Sequence, residues 1–242
     1  MIQHSRDAAR REEVARELGT RGDPSALDAL SDALMDEDCR VRWRAADAIG
    51  GLRDVRAAGP LIDALRDRES RVRASAAAGL RSLGEGAIAP LIEALKSIDW
   101  GVRREAARLL RGIGEPAVAL LIASLSDDKL EARRDAADAL GKIGDARAVA
   151  ALIDTLRDPH WIVRSKAAEA LGRIGDERAV TPLAAVSRDG DWRVRYEAVR
   201  ALGNVGTNAI APLREALRDG AYPVSTEAKA VLAKVERRHA RQ

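Results

Sequence analysis

The chain has 242 residues, 46% of them hydrophobic and 33% charged, and a formal charge of +3. That charge is far below the density of a dedicated nucleic-acid binder, and a lone cysteine, Cys39, excludes an intrachain disulfide framework and argues against a thiolate metal site. No apolar run reaches membrane length and the N-terminal stretch has no apolar signal core, so a reduced, cytoplasmic protein is expected.

Residues 1–6 are expected to fray. Residues 7–23 read as an N-terminal capping helix. Arg10-Arg11 stands where later segments carry Val-Arg, and Leu18-Gly19 matches the later Leu-Gly. The other face, from Arg10 and Arg11 through Glu12, Glu13, Arg16 and Glu17, is charged, as suits the end of a stack. Asp23-Pro24 then opens a first short helix.

From residue 24 to residue 223 one sentence repeats. Its register marks are Val41-Arg42, Val72-Arg73, Val102-Arg103, Ala132-Arg133, Val163-Arg164 and Val194-Arg195, with Val224-Ser225 as an imperfect last mark, 30 or 31 residues apart. Four residues after each mark comes Ala, from Ala45 to Ala228, and eight after it a large aliphatic, from Ile49 to Leu232. Those positions lie on one helical stripe. Gly84, Gly114, Gly144, Gly175 and Gly206 stand twelve after it, where a left-handed residue ends a helix. Five before the mark stand Asp36, Asp67, Asp127, Asp158, Asp189 and Asp219, with Ser97 in the remaining slot. Both residue types suit an N-cap or the tight turn leading to one. A shorter apolar helix follows each Gly, and Pro60, Pro90, Pro182 and Pro212 fall in its first turn, where a missing amide is harmless. One unit is thus a helical hairpin that buries its apolar faces only by stacking. The unit marked at Ala132 diverges most, and looser packing is expected there. Residues 224–238 read as a C-terminal capping helix with basic residues at its negative end, followed by a tail expected to be disordered.

The pattern D-x-x-x-x-V-R-x-x-A-A-x-A-L-G-x-I-G-D, seen from Asp158 to Asp176 and from Asp189 to Gly206, resembles the HEAT-like repeat of phycobilisome lyases, within the armadillo/HEAT group. The resemblance spans residues 24–238. It implies an all-α, right-handed α-solenoid: a superhelix of about seven two-helix repeats with capping helices, in one domain over 1–242. The shorter helices would form its convex layer and the longer ones its concave layer. It also implies lyase activity as one option, although such repeats serve many functions and fold does not fix function.

The aromatic residues are the most informative. There are four Trp, two Tyr and no Phe. Trp100, Trp161, Trp192 and Tyr222 sit two before the mark, Trp43 and Tyr196 two after it, so all fall on one seam at the start of the longer helix. They are read as anchors for a partner. The competing reading is that each ring staples the helix start.

The arginines Arg42, Arg73, Arg103, Arg133, Arg164 and Arg195 repeat with the same period as Asp36, Asp67, Asp127, Asp158 and Asp189. They are expected to form a structural ladder, each Arg meeting the preceding Asp, an adjacent repeat's Asp or backbone carbonyls. A phosphate-tracking column is the alternative, with Arg40, Arg44, Arg71, Arg104, Arg134 and Arg193 beside it. Glu105, Asp135, Glu197, Asp47, Asp138 and Glu169 make that surface too mixed for a phosphate groove.

His4, His160 and His239 fall at an end, in a loop and in a tail, and no nucleophile set, paired His-Glu motif or Gly-rich phosphate loop is present. No catalytic residue, metal or cofactor is assigned, and Cys39 is read as a small, partly exposed residue. The leading expectation is a monomeric protein-binding scaffold. Its partner, another protein or peptide, would meet the longer-helix surface through the six aromatics with Arg104 and Arg134. A bilin-lyase-type enzyme or lyase subunit, and nucleic-acid binding through the Arg column and the aromatics, are the rivals. No membrane partner is expected.

Overall fold

The computed structural model describes residues 7–219 and 222–239, and all regular structure among them is helical. The chain forms two compact units, residues 1–117 and 118–242.

In the first unit the longer helices are α1 (Ala8–Arg21), α3 (Cys39–Leu52), α5 (Ser70–Ser82) and α7 (Trp100–Ile113). They alternate with shorter helices α2 (Leu27–Ala33), α4 (Ala58–Ala64) and α6 (Ile88–Ala94). In the second unit α9 (Leu130–Ile143), α11 (Trp161–Ile174), α13 (Trp192–Leu202) and α15 (Val224–His239) alternate with α8 (Val118–Ser124), α10 (Val149–Thr155), α12 (Val180–Val186) and α14 (Ile210–Ala216). Each shorter helix is preceded by one 3₁₀ turn. Of the tail expected after residue 238, His239 is instead the last residue of α15; residues 240–242 and the first six residues lie outside the described residues.

The repeated stripe is the core. Val41, Ala45 and Ile49 in α3 are fully buried, as are Val163, Ala167 and Leu171 in α11. Leu61 and Leu152 of the shorter helices meet the same layer and are also inaccessible to solvent. Gly84, Gly114, Gly144, Gly175 and Gly206 all have positive φ, but only Gly144 and Gly175 are the expected left-handed C-caps: Gly114 caps α7 with ψ −135°, and α5 and α13 end earlier, at Leu83 and Gly203. Arg53 holds the equivalent place at the end of α3, with φ 53°, although it carries a side chain.

The aspartates five before the mark are turn formers and not caps. The cap is the residue two further on: Asp38 accepts from the Arg40 amide, Asp99 from Gly101 and Val102, Asp191 from Arg193, and His160 through Nδ1 from Ile162. The earlier aspartate accepts from that capping residue's amide, as Asp67 does from Glu69 at 2.8 Å.

Consecutive longer helices touch where both carry small residues. A Cβ built on Gly19 of α1 would lie 2.7 Å from Ala48 Cβ of α3, and one on Gly50 would lie 2.8 Å from Gly79 Cα. Gly141 and Gly172 meet Ala170 and Ala201 in the same way, at 2.5 and 2.6 Å from Cα. Ala132 is buried and its helix packs closely on α11. The looseness expected at that repeat stands instead between α5 and α7, the sparsest contact of consecutive longer helices within either unit. There Arg81 and Leu109 occupy the positions filled by Gly19 and Ala48, Gly50 and Gly79, Gly141 and Ala170, and Gly172 and Ala201 at the close contacts just named.

Candidate partner-binding surface

The ladder forms, and its geometry explains why Arg and Asp share a period. Arg42 Nη1 donates to the Asp36 and Glu37 carbonyls of its own repeat, at 2.8 and 3.0 Å. Its Nε and Nη2 donate to both carboxylate oxygens of Asp67 in the next repeat, at 2.6 and 3.1 Å. Arg133 and Arg164 repeat this with Asp158 and Asp189. Each guanidinium therefore ties a turn to the following turn, and the planar fork suits that bidentate task better than an ammonium. Burial pushes the Asp67 carboxyl up, but the Arg42 hydrogen bonds, the Glu69 amide and the Arg42 charge outweigh it and hold it below the usual range.

Arg11 corrects the reading of α1 as charged on its outer face there. It is buried and opens the ladder, with Nε 2.8 Å from Asp36 Oδ2. Its spacing from Arg42, one period, was the available signal. Arg103 donates through Nη1 to the Ser97 and Ile98 carbonyls, at 2.7 and 2.9 Å. Arg195 donates in the same way to the Asp189 and Gly190 carbonyls, at 2.9 and 3.2 Å. Arg73 departs from the series. It donates to the Asp67 and Arg68 carbonyls, but Ser97 stands where its carboxylate would be, and the side chain is exposed.

The aromatics divide into two groups. Trp43 and Trp161 are half-buried beneath arginines of the following repeat: Arg71 Cζ lies 3.4 Å from the Trp43 ring centroid and Arg193 Cζ 3.5 Å from that of Trp161. Arg44 also approaches Trp43, at 4.0 Å. These rings staple neighbouring repeats through contacts worth about 1 kcal/mol each, between the exposed and the desolvated case. The periodic Arg just before the mark was the overlooked signal. Tyr196 is half-buried, its hydroxyl 3.3 Å from Glu227 of α15. Burial, then the Glu227 charge, raises its pKa.

The second group stands in solvent. Trp100 is 59% exposed, Trp192 47% and Tyr222 83%. Arg104 lies 4.6 Å from the Trp100 ring, and Arg134 turns to Asp135 at 2.8 Å. Arg193 is clamped by Asp191, whose carboxyl is held down to about 2, first by that hydrogen bond. Cys39 is exposed at the first position of α3.

On the longer-helix face of the second unit, charges match. Asp138 pairs with Lys142, Lys166 and Arg173, and Glu169 with Lys166 and Arg173. Glu197 pairs with Arg200, and burial pushes its carboxyl up. Such a surface has little excess positive charge for a phosphate backbone. Among the described residues no helix is long and apolar enough to cross a membrane.

Comparison with known proteins agrees with this architecture. The family model for HEAT repeats matches residues 1–81, 88–165 and 149–233, and that for the PBS lyase HEAT-like repeat matches residues 72–97. The complex of CpcE and CpcF of phycocyanin lyase from Nostoc sp. is 26% identical, covering 60% of this chain and 97% of that one, with a TM-score of 0.56. Importin beta is 15% identical over 96% of this chain and 40% of its own length, with a TM-score of 0.58. An engineered protein is 23% identical over 97% of this chain and 77% of its own length, with a TM-score of 0.50. A search of curated proteins found no match. With the ladder, the helical hairpins and the matched model spanning both units, the chain belongs to the HEAT-repeat family.

Proposed function

We propose that this chain is a non-catalytic protein-binding scaffold that meets its partner with the longer-helix surface. One observation carries the reading: Trp100, Trp192 and Tyr222 stand in solvent at the starts of longer helices, where the aliphatic core has no use for them. Exposed Trp and Tyr are costly to leave in water and are the residues most often found as interface anchors. A preformed stack also spends little ordering entropy on binding. Capture from a native extract, with and without nuclease, tests it. Wild type retains a specific protein that the Trp100→Ala/Trp192→Ala variant loses, while the thermal midpoint of the two proteins agrees. Equal capture by both overturns the reading, and capture that vanishes only with nuclease transfers it to nucleic acid.

The likeness to the phycocyanin lyase complex supports a second reading, a lyase-type enzyme or lyase subunit. Co-expression with a bilin and a phycobiliprotein would then yield pigment-dependent absorbance, and a colourless product would dismiss it.

A further inference from the structure

We propose that the groove between α5 and α7 binds a short acidic protein segment through Arg73, Arg81 and Arg104. Three departures from the repeat coincide here. Ser97 replaces the ladder aspartate, which removes the carboxylate that Arg73 would otherwise hold. Arg81 and Leu109 replace the small pairs found at the close contacts of Gly19, Gly50, Gly141 and Gly172. The two helices therefore stand apart and leave an open groove of about 500 Å³ with Ala74 and Ala77 among its lining residues.

The chemistry of that groove is one-sided. Arg73, Arg81, Arg104 and Arg108 line it together with one acid, Glu105. Arg108 pairs with Glu105. That hydrogen bond first, and the nearby Arg104 and Arg81 charges as well, hold the Glu105 carboxyl low. Among the described residues no carboxylate forms an ion pair with Arg73, Arg81 or Arg104, and all three are exposed. Several other arginines of the first unit do have such a partner: Arg42 has Asp67, Arg44 has Glu12, and Arg56 has Asp54; what sets Arg73, Arg81 and Arg104 apart is that the three line one groove. Three guanidinium forks over small apolar side chains suit carboxylates on an extended peptide. Nucleic acid fits less well, because a phosphate backbone needs a longer basic track. The step between two stacked helices is roughly 8–10 Å, and the neighbouring step toward α3 carries Asp47.

This inference rests on the protein-binding reading for its class of partner, but not on the aromatic residues. The test is fluorescence anisotropy of the full chain with a labelled peptide of alternating Glu and Ala, and in parallel with a labelled oligothymidylate. The peptide binds, and binding weakens as salt rises. Arg73→Gln/Arg81→Gln/Arg104→Gln weakens it by about tenfold or more. Arg56→Gln/Arg147→Gln/Arg178→Gln, which removes the same charge from paired surface sites, leaves it unchanged. Arg81→Gln and Arg104→Gln, neither of which breaks a hydrogen bond, repeat the loss singly if the triple variant is unstable. Equal loss in both triple variants, or retention of the oligothymidylate and not the peptide, overturns the inference. Peptide binding that survives Trp192→Ala separates this groove from the aromatic surface; Trp100 is left in place because Arg104 lies over its ring. Absent peptide binding alongside Trp-dependent capture removes the groove alone.

Discussion

Gly141 and Ala170 meet backbone to backbone: a Cβ built on Gly141 would lie 2.5 Å from Ala170 Cα. The contact seats α9 on α11 without a side chain between them. Gly141→Ala therefore destabilises the fold by about 1–3 kcal/mol through overpacking. Gly112, in α7, has open space around its Cα. Gly112→Ala stabilises by about 0.5–1 kcal/mol, because only helix propensity changes. Urea unfolding of the two variants reads the opposite signs.

Arg42→Met leaves Asp67 buried without its partner and costs about 2–3 kcal/mol. Arg73→Met costs about 1 kcal/mol or less, because Arg73 is exposed and has only carbonyl acceptors to lose. If the two substitutions lower the unfolding midpoint equally, the inter-repeat carboxylate contributes nothing.

Acid should weaken the fold in a defined window. Asp36, Asp67 and Asp189 are held below the usual carboxylate range: burial raises each, and the ladder arginine with a backbone amide lowers it further. A depressed carboxyl adds stability that is complete above its unfolded pKa, about 3.9, and is lost as pH falls through the folded value. The thermal midpoint stays level from about pH 7 to about pH 5 and falls below about pH 4. In Arg42→Met the fall is shallower, since Asp67 no longer titrates low. An identical slope in both proteins would remove the ladder as its source.

Arg53 closes α3 in the left-handed region, which a Cβ disfavours by about 1 kcal/mol. Its side chain is exposed. Arg53→Gly raises stability by about 1 kcal/mol or somewhat less, the looser unfolded chain offsetting part of the gain. Differential scanning calorimetry would show a higher midpoint, and a lower one would mean the arginine makes a contact that outweighs the strain.

The repeat, the helix ends and the buried stripe were legible along the chain because each depends on residues within a turn or two. An apolar residue every third or fourth position, a capping oxygen and a glycine at positive φ act locally, so Val163, Ala167, Leu171 and Gly175 announced α11 without a neighbour. Arg11 was misplaced because its aspartate is one repeat away, and the helix around it shows a charged face until Asp36 arrives. Which Trp lies under an arginine was also undecided: Trp161 and Trp192 share one slot, but only Trp161 has Arg193 of the next repeat lying 3.5 Å from its ring centroid. The gap between α5 and α7 follows from Arg81 and Leu109 facing the same step, a consequence of how helices from different repeats align. Local sequence determined the helical hairpin. Tertiary packing decided which of its charged and aromatic side chains are consumed as fasteners and which remain available to bind, because that choice depends on what the adjacent repeat presents at the same height.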